Sequence, residues 1–201
     1  MLVFSNHSFL YFSYILSKKG ISASQNANSS GTDENSVRLD FSVPTAEIAN
    51  NLILKKSEFA VLGEPYATVA AKNSSQIRRV ENLSKIYSEL DGDFLTSPAI
   101  LLVANAKFVS KNKNLVNQFI EVYRQATDWT KKNPEKAALL AEKHNLGVKS
   151  QIARISIPNA ALTFRNALSG KAEIEKILSL FLDSKPETVG GSLPADEFYF
   201  R

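Results

Sequence analysis

Residues 59–72 run FAVLGEPYATVAAK. Phe59 to Leu62 are small or apolar and predict a short buried strand. Gly63 permits a tight exit, and Glu64-Pro65 follows at once. Pro65 suits the first position of a helix, where a missing N–H is no loss and its fixed φ is already helical. Tyr66 to Lys72 continue that helix. Strand, turn and helix thus succeed one another with a carboxylate at the joint. In parallel α/β sheets ligands gather outside the carboxyl ends of strands, which makes this joint a candidate site edge. Glu64 has a second reading that is compatible with the first: it caps its own helix through first-turn N–H groups and the dipole.

The flanking sequence predicts more of the same alternation. Met1 to Phe4 suit a short strand, and 8–19 suit a helix with Ser5 or Ser8 as cap and Gly20 as its close. Phe9 to Leu16 are apolar enough to suggest a signal peptide. However, no basic residue precedes them, and Lys18-Lys19 stand where a cleavage site should be small and neutral. Residues 22–36 are rich in Ser and Asn and predict a loop, disordered in character. Val37, Leu39, Phe41 and Val43 alternate, as in a half-buried strand. A helix with Ile48, Ala49, Leu52 and Ile53 inward follows Pro44-Thr45. Alternation at this spacing predicts an α/β fold with a mostly parallel sheet.

Beyond Asn73 the pattern changes. Within residues 73–94, 77–83 suggest a strand or an irregular crossing piece and 87–94 a loop, and Ala99 to Ala104 suggest a fully buried strand. From Asn112 onward the chain is helical. Leu115, Phe119, Val122, Ala126 and Trp129 mark an inward stripe, with Trp129 in the core. Asn133-Pro134-Glu135 opens a second helix, Ser150 caps a third, 160–168 form a fourth, and Lys171 to Leu182 a fifth. Gly190-Gly191 and Pro194 carry turn chemistry before an aromatic end that packs down. Few strands for so many helices implies that some helices cover an interface or that strands must come from elsewhere.

Composition narrows the function. The chain has 201 residues, 44% hydrophobic and 22% charged, with a net charge of +4 and no cysteine. Scattered lysines without a basic run argue against nucleic acid. Absence of cysteine removes disulfides, thiolate metal sites and a cysteine nucleophile. No apolar run reaches membrane-spanning length. His7 and His144 share no metal-ligand spacing. His144 suits a helix C-terminus, whereas His7 reads either as a cap or surface residue or as a ligand contact. Tyr66 either lines a pocket or packs beneath the joint. Asp91 and Asp93 mark a turn. No catalytic set, metal or cofactor is called for, and the residues describe an α/β protein that binds rather than transforms.

Three segments resemble a known family. GEPYATVAAK (63–72) is similar to the strand–EP–helix element of the solute-binding proteins of ABC importers, in the nitrate, sulfonate and thiamine-precursor group. Residues 102–147, from LVANAKF through the W-x-x-x-N-P-E-x-A-A element to HNLG, resemble that group's buried strand, polar turn and long helix. KPETVGGSLPADEFYF (185–200) resembles its C-terminal segment. The resemblance implies a periplasmic-binding-protein-like, type II clamshell. On that mapping 1–95 form the second α/β lobe, with the loop near 22–36, and 96–201 form a crossing strand and C-terminal helices that pack on a first lobe. Most of that first lobe has no counterpart here, which is expected of a truncated product or fragment; a homodimer would complete it. The resemblance also assigns 9–16 to the lobe's first helix rather than to a signal peptide.

The same resemblance implies ligand contacts. Ser5, Asn6 and His7 match the start of the second lobe, without the glycines usual there. Glu64 matches the cleft-edge acid, with Tyr66 beside it. Ser97 precedes the crossing strand, and Asn159 belongs to an Ile-Pro-Asn element. A carboxylate at the cleft edge suits a small polar or amine-bearing solute and repels a sulfonate. The implied partner is an ABC permease, and the implied location is periplasmic or extracellular, membrane-anchored in the complete protein. Effector-sensing domain of a transcription regulator and non-binding remnant are the alternatives. A thiamine-pyrimidine synthase-like enzyme fits worse, because its cysteine-rich iron motif has no match.

Overall fold

The computed structural model describes residues 2–3, 9–24, 35–91 and 101–200. Contacts divide the chain into two units, residues 1–97 with 179–192, and 98–178 with 193–201.

In the first unit the described strands are β1 (Leu2–Val3), β2 (Ser22–Ser24), β3 (Ser36–Asp40) and β4 (Phe59–Ala60). They form one sheet in the order β2-β3-β1-β4, and every described pairing is parallel. Leu2 stands opposite Leu39 and Phe59, and Val3 opposite Asp40 and Ala60. Helix α1 (Phe9–Lys18) follows β1, α2 (Thr45–Ile53) follows β3, and α3 (Tyr66–Asn73) follows β4. From β1 the chain crosses to β2 in one direction along the sheet, and from β3 to β4 in the other. Because such crossovers are right-handed, α1 and α2 fall on opposite faces. That reversal is a topological switch point, and the carboxyl ends of β1 and its neighbours meet there.

The apolar pattern accounts for the core. Phe12 and Leu16 of α1 cluster with Leu39, and Val37 and Phe41 pack against them on the same strand face. Ile48 and Ala49 of α2 are buried, as are Thr68 and Ala70 of α3. Gly20 closes α1 at φ 69°, a backbone conformation that favours glycine. The predicted α/β alternation is therefore present.

Several expectations fail here. β4 is two residues long rather than a buried four-residue strand, and Phe59 is 54% exposed because β4 ends the described sheet. Helix α3 begins at Tyr66, with Pro65 just outside it, after a cis Glu64–Pro65 bond. Gly63 does not take a positive φ, so the exit does not draw on glycine's freedom. Ser22–Ser24 form a strand where a loop was expected, since pairing to Ser36–Arg38 satisfies a backbone whose side chains carry no apolar signal. Residues 83–91 form helix α4 instead of an irregular piece and loop, with Tyr87 buried against the ring of Tyr14 at 5.8 Å.

The second unit is helical: α5 (Ala106–Lys111), α6 (Lys113–Lys132), α7 (Pro134–Lys143), α8 (Ser150–Asn159) and the first part of α9 (Lys171–Ser184). Helices α7 and α8 pack closely because Ala137, Ala138, Ala153 and Ser156 are small and buried. At the chain end Tyr199 is buried, with the Lys171 ammonium 5.2 Å from its ring centroid and also paired to Asp196. The aromatic end thus packs down in part, since Phe198 stays exposed.

Departures are larger in this unit. Residues 101–105 are not a strand, and Leu101, Leu102 and Val103 are exposed. The α6 stripe of Leu115, Phe119, Val122 and Trp129 is exposed too, with Trp129 at 40% rather than in the core. Residues 160–170 are turns and irregular backbone instead of a fourth helix. Helix α8 does stop where its proline predicts, at Asn159 just past Pro158, since a proline in the last turn forfeits only one bond. Neither Asn133 nor Ser150 acts as a side-chain cap. Asn133 Nδ2 donates to the Trp129 carbonyl (2.9 Å), and the Ser150 N–H donates to Glu142 (2.9 Å).

Candidate functional site

The site edge is built where β4 gives way to α3. The segment from Val61 to Pro65 leaves the sheet beside the end of β1, since Val3 and Ala60 are paired. Helix α3 then starts at Tyr66, leaving first-turn N–H groups in need of acceptors. Glu64 supplies one. Its Oε2 accepts from the Thr68 N–H (3.2 Å) and from the Thr68 hydroxyl (2.7 Å). Its Oε1 accepts from Arg79 Nη2, which also donates to Thr68 Oγ1 (2.7 Å).

The result is a closed triangle of carboxylate, hydroxyl and guanidinium. Its members differ in access: Thr68 is 1% exposed, the Glu64 side chain 12% and the Arg79 side chain 44%. Sequence reasoning foresaw the capping role of Glu64 and missed both partners. Thr68 left a faint signal, a hydroxyl in the first turn four residues after an acid. Arg79 left less, as one of two adjacent arginines in a segment without periodicity.

At the end of β3 a second polar turn forms. Asp40 Oδ1 accepts from the Ser42 N–H (2.8 Å) and hydroxyl (2.7 Å). The Ser42 hydroxyl, then its N–H, hold the Asp40 carboxyl below the usual carboxylate range. This turn, too, lies at the carboxyl end of the sheet and escaped the sequence reading.

The other candidate residues are dispersed. Tyr66 stands beside Glu64, half exposed. Ser5, Asn6, His7 and Ser97 lie outside the described residues. Asn159 belongs to the second unit, at the end of α8, where its amide donates to the Ile155 carbonyl (2.7 Å). The structure therefore brings together Glu64 and Tyr66 and adds Thr68 and Arg79. Among the described residues no group of three or more His, Cys, Asp or Glu is placed to hold a metal, and no helix is long and apolar enough to cross a membrane.

A family model described as NMT1/THI5 like matches residues 68–137, which takes in Thr68 and Arg79 and begins four residues after Glu64. No curated protein matches. A solved structure of an ABC transporter from Parabacteroides distasonis is similar over all of this chain, with a TM-score of 0.73 and 21% identity. This chain spans 65% of the length of that one. The chain thus has the α/β fold found in an ABC transporter protein, with an NMT1/THI5-like segment across 68–137.

Proposed function

We propose that this chain is a solute-binding component of an ABC import system. It captures a small polar molecule and delivers it to a membrane permease, without making or breaking a covalent bond. The observation that carries the proposal is the fold match along the whole chain to an ABC transporter protein. The NMT1/THI5-like segment supports it. So does the polar joint after β4, since ligands of open α/β sheets gather at such strand ends.

On this reading the β4–α3 joint, with Glu64 and Tyr66, faces the solute, and Ser5, Asn6, His7, Ser97 and Asn159 are proposed as further ligand-binding residues. The first α/β lobe of such a clamshell supplies the facing wall, and closure on the solute shifts the population to the closed form. The component works in the periplasm or at the extracellular surface, where a permease recognises the closed state.

Native mass spectrometry of the full chain, paired with a thermal-shift screen across polyamines, aminopyrimidines, sulfonates, carboxylates and phosphate, tests the proposal. A retained small molecule, or a clear upward shift with one solute class, supports it, because a ligand that binds only the folded state raises the midpoint. A bare chain with no shift across the screen would sink it.

A further inference from the structure

Resting on the solute-capture reading above, we propose that Arg79 is the group that meets the solute at the β4–α3 joint. Glu64 serves as the positioning residue that holds it, and the preferred solute carries an anionic oxygen acceptor. A lone carboxylate at a cleft edge would call for a cationic solute. The structure leaves Glu64 little capacity for that role. Oε2 already accepts two hydrogen bonds from Thr68, Oε1 faces Arg79, and the side chain is only 12% exposed.

Arg79 is placed the other way. A guanidinium has five N–H donors in a rigid fork. The two on Nη2 are directed at Glu64 and Thr68. Among the described residues the remaining three, on Nη1 and Nε, carry no hydrogen bond, and 44% of the side chain meets solvent. The charge of the pair is therefore not presented evenly: the carboxylate lies inward and the guanidinium outward. A solute approaching from solvent meets donors and positive charge first.

The anchoring has a purpose in this scheme. Arg79 comes from the irregular stretch between α3 and α4, where a long side chain would otherwise sample many rotamers. Two contacts on one nitrogen, one of them from the buried Thr68 hydroxyl, fix the plane of the fork. A fixed fork recognises carboxylate or phosphoryl oxygens in a way that a lysine at the same place would not.

The test uses the full chain and defined probes: succinate and inorganic phosphate as anions, spermidine and 4-aminopyrimidine as cations or cation precursors. Calorimetric titration and thermal shift are read for the native sequence and for Arg79→Gln, Arg79→Lys and Glu64→Gln. The expected result is binding of an anionic probe, weakened about tenfold or more in Arg79→Gln, the scale of losing a hydrogen bond to a charged group. Arg79→Lys keeps the charge and loses the fork, so it should fall between. Glu64→Gln keeps the guanidinium but weakens its anchor, so it should reduce anion binding measurably and by less than Arg79→Gln.

Circular dichroism identifies any variant that fails to fold, and the Lys variant then carries the comparison. A cationic probe whose binding survives Arg79→Gln and vanishes in Glu64→Gln would overturn this inference while leaving solute capture standing. So would an anion indifferent to Arg79. No binding by any probe or by the wider screen would remove both.

Discussion

Helices α2 and α6 carry equally legible apolar stripes, and the fold treats them in opposite ways. On α2, Ile48 is 0% exposed and Ala49 is buried beside it. On α6, Val122 is 64% exposed, and Leu115, Phe119 and Trp129 share its exposure, although the rings of Phe119, Tyr123 and Phe164 do touch in series. The difference teaches that amphipathicity states a demand for burial and does not say what meets it. For α2 the cover is β4 and α3, close in sequence. For α6 the described residues provide only partial cover.

Substitutions at the two faces sharpen this contrast. Ile48→Ala should be the most damaging, costing about 2–5 kcal/mol in urea unfolding, because it empties a fully packed position on a helix that otherwise tolerates alanine. A loss below about 1 kcal/mol would mean that α2 is not the packed face described here. Thr68→Val ranks next. It removes the buried hydroxyl that links Glu64 to Arg79 while nearly conserving shape, and should cost about 1–3 kcal/mol.

Phe119→Ser on α6 should cost only about 1 kcal/mol, since half of the ring is already exposed and what it loses is its remaining burial and its stacking on Tyr123. Binding of a hydrophobic dye should fall in the same variant. A large destabilisation with unchanged dye binding would show that the stripe is covered after all.

The smallest effect concerns acid. The Ser150 hydroxyl and N–H, together with Lys149, bring the Glu142 carboxyl from about 4.5 to about 2. A carboxyl whose folded value is depressed adds stability above its unfolded value and loses it as pH falls through the folded one. The contribution of Glu142 is therefore complete above about pH 4.5 and disappears toward about pH 2. Glu142→Gln should flatten that part of the acid-unfolding curve slightly, and a carboxyl titration by NMR should place Glu142 near the low value. A midpoint in the ordinary carboxylate range would mean that Glu142 does not hold the start of α8.

The sequence by itself determined the strand–turn–helix joint at 59–72, the carboxylate placed there, the α1 and α2 periodicities and the alternation that makes the first unit α/β. These are local properties. Turn chemistry, helix capping and the spacing of apolar residues act over a few positions and can be read there. The partners of Glu64 were only partly legible. Thr68 lies within one helical turn, but Arg79 arrives from 15 residues away through a segment with no period to announce it. The exposure of 101–103 and of the α6 stripe was illegible for the same reason. Hydrophobicity belongs to a residue, while burial belongs to whatever distant chain packs against it, and only the tertiary structure supplies that chain or withholds it.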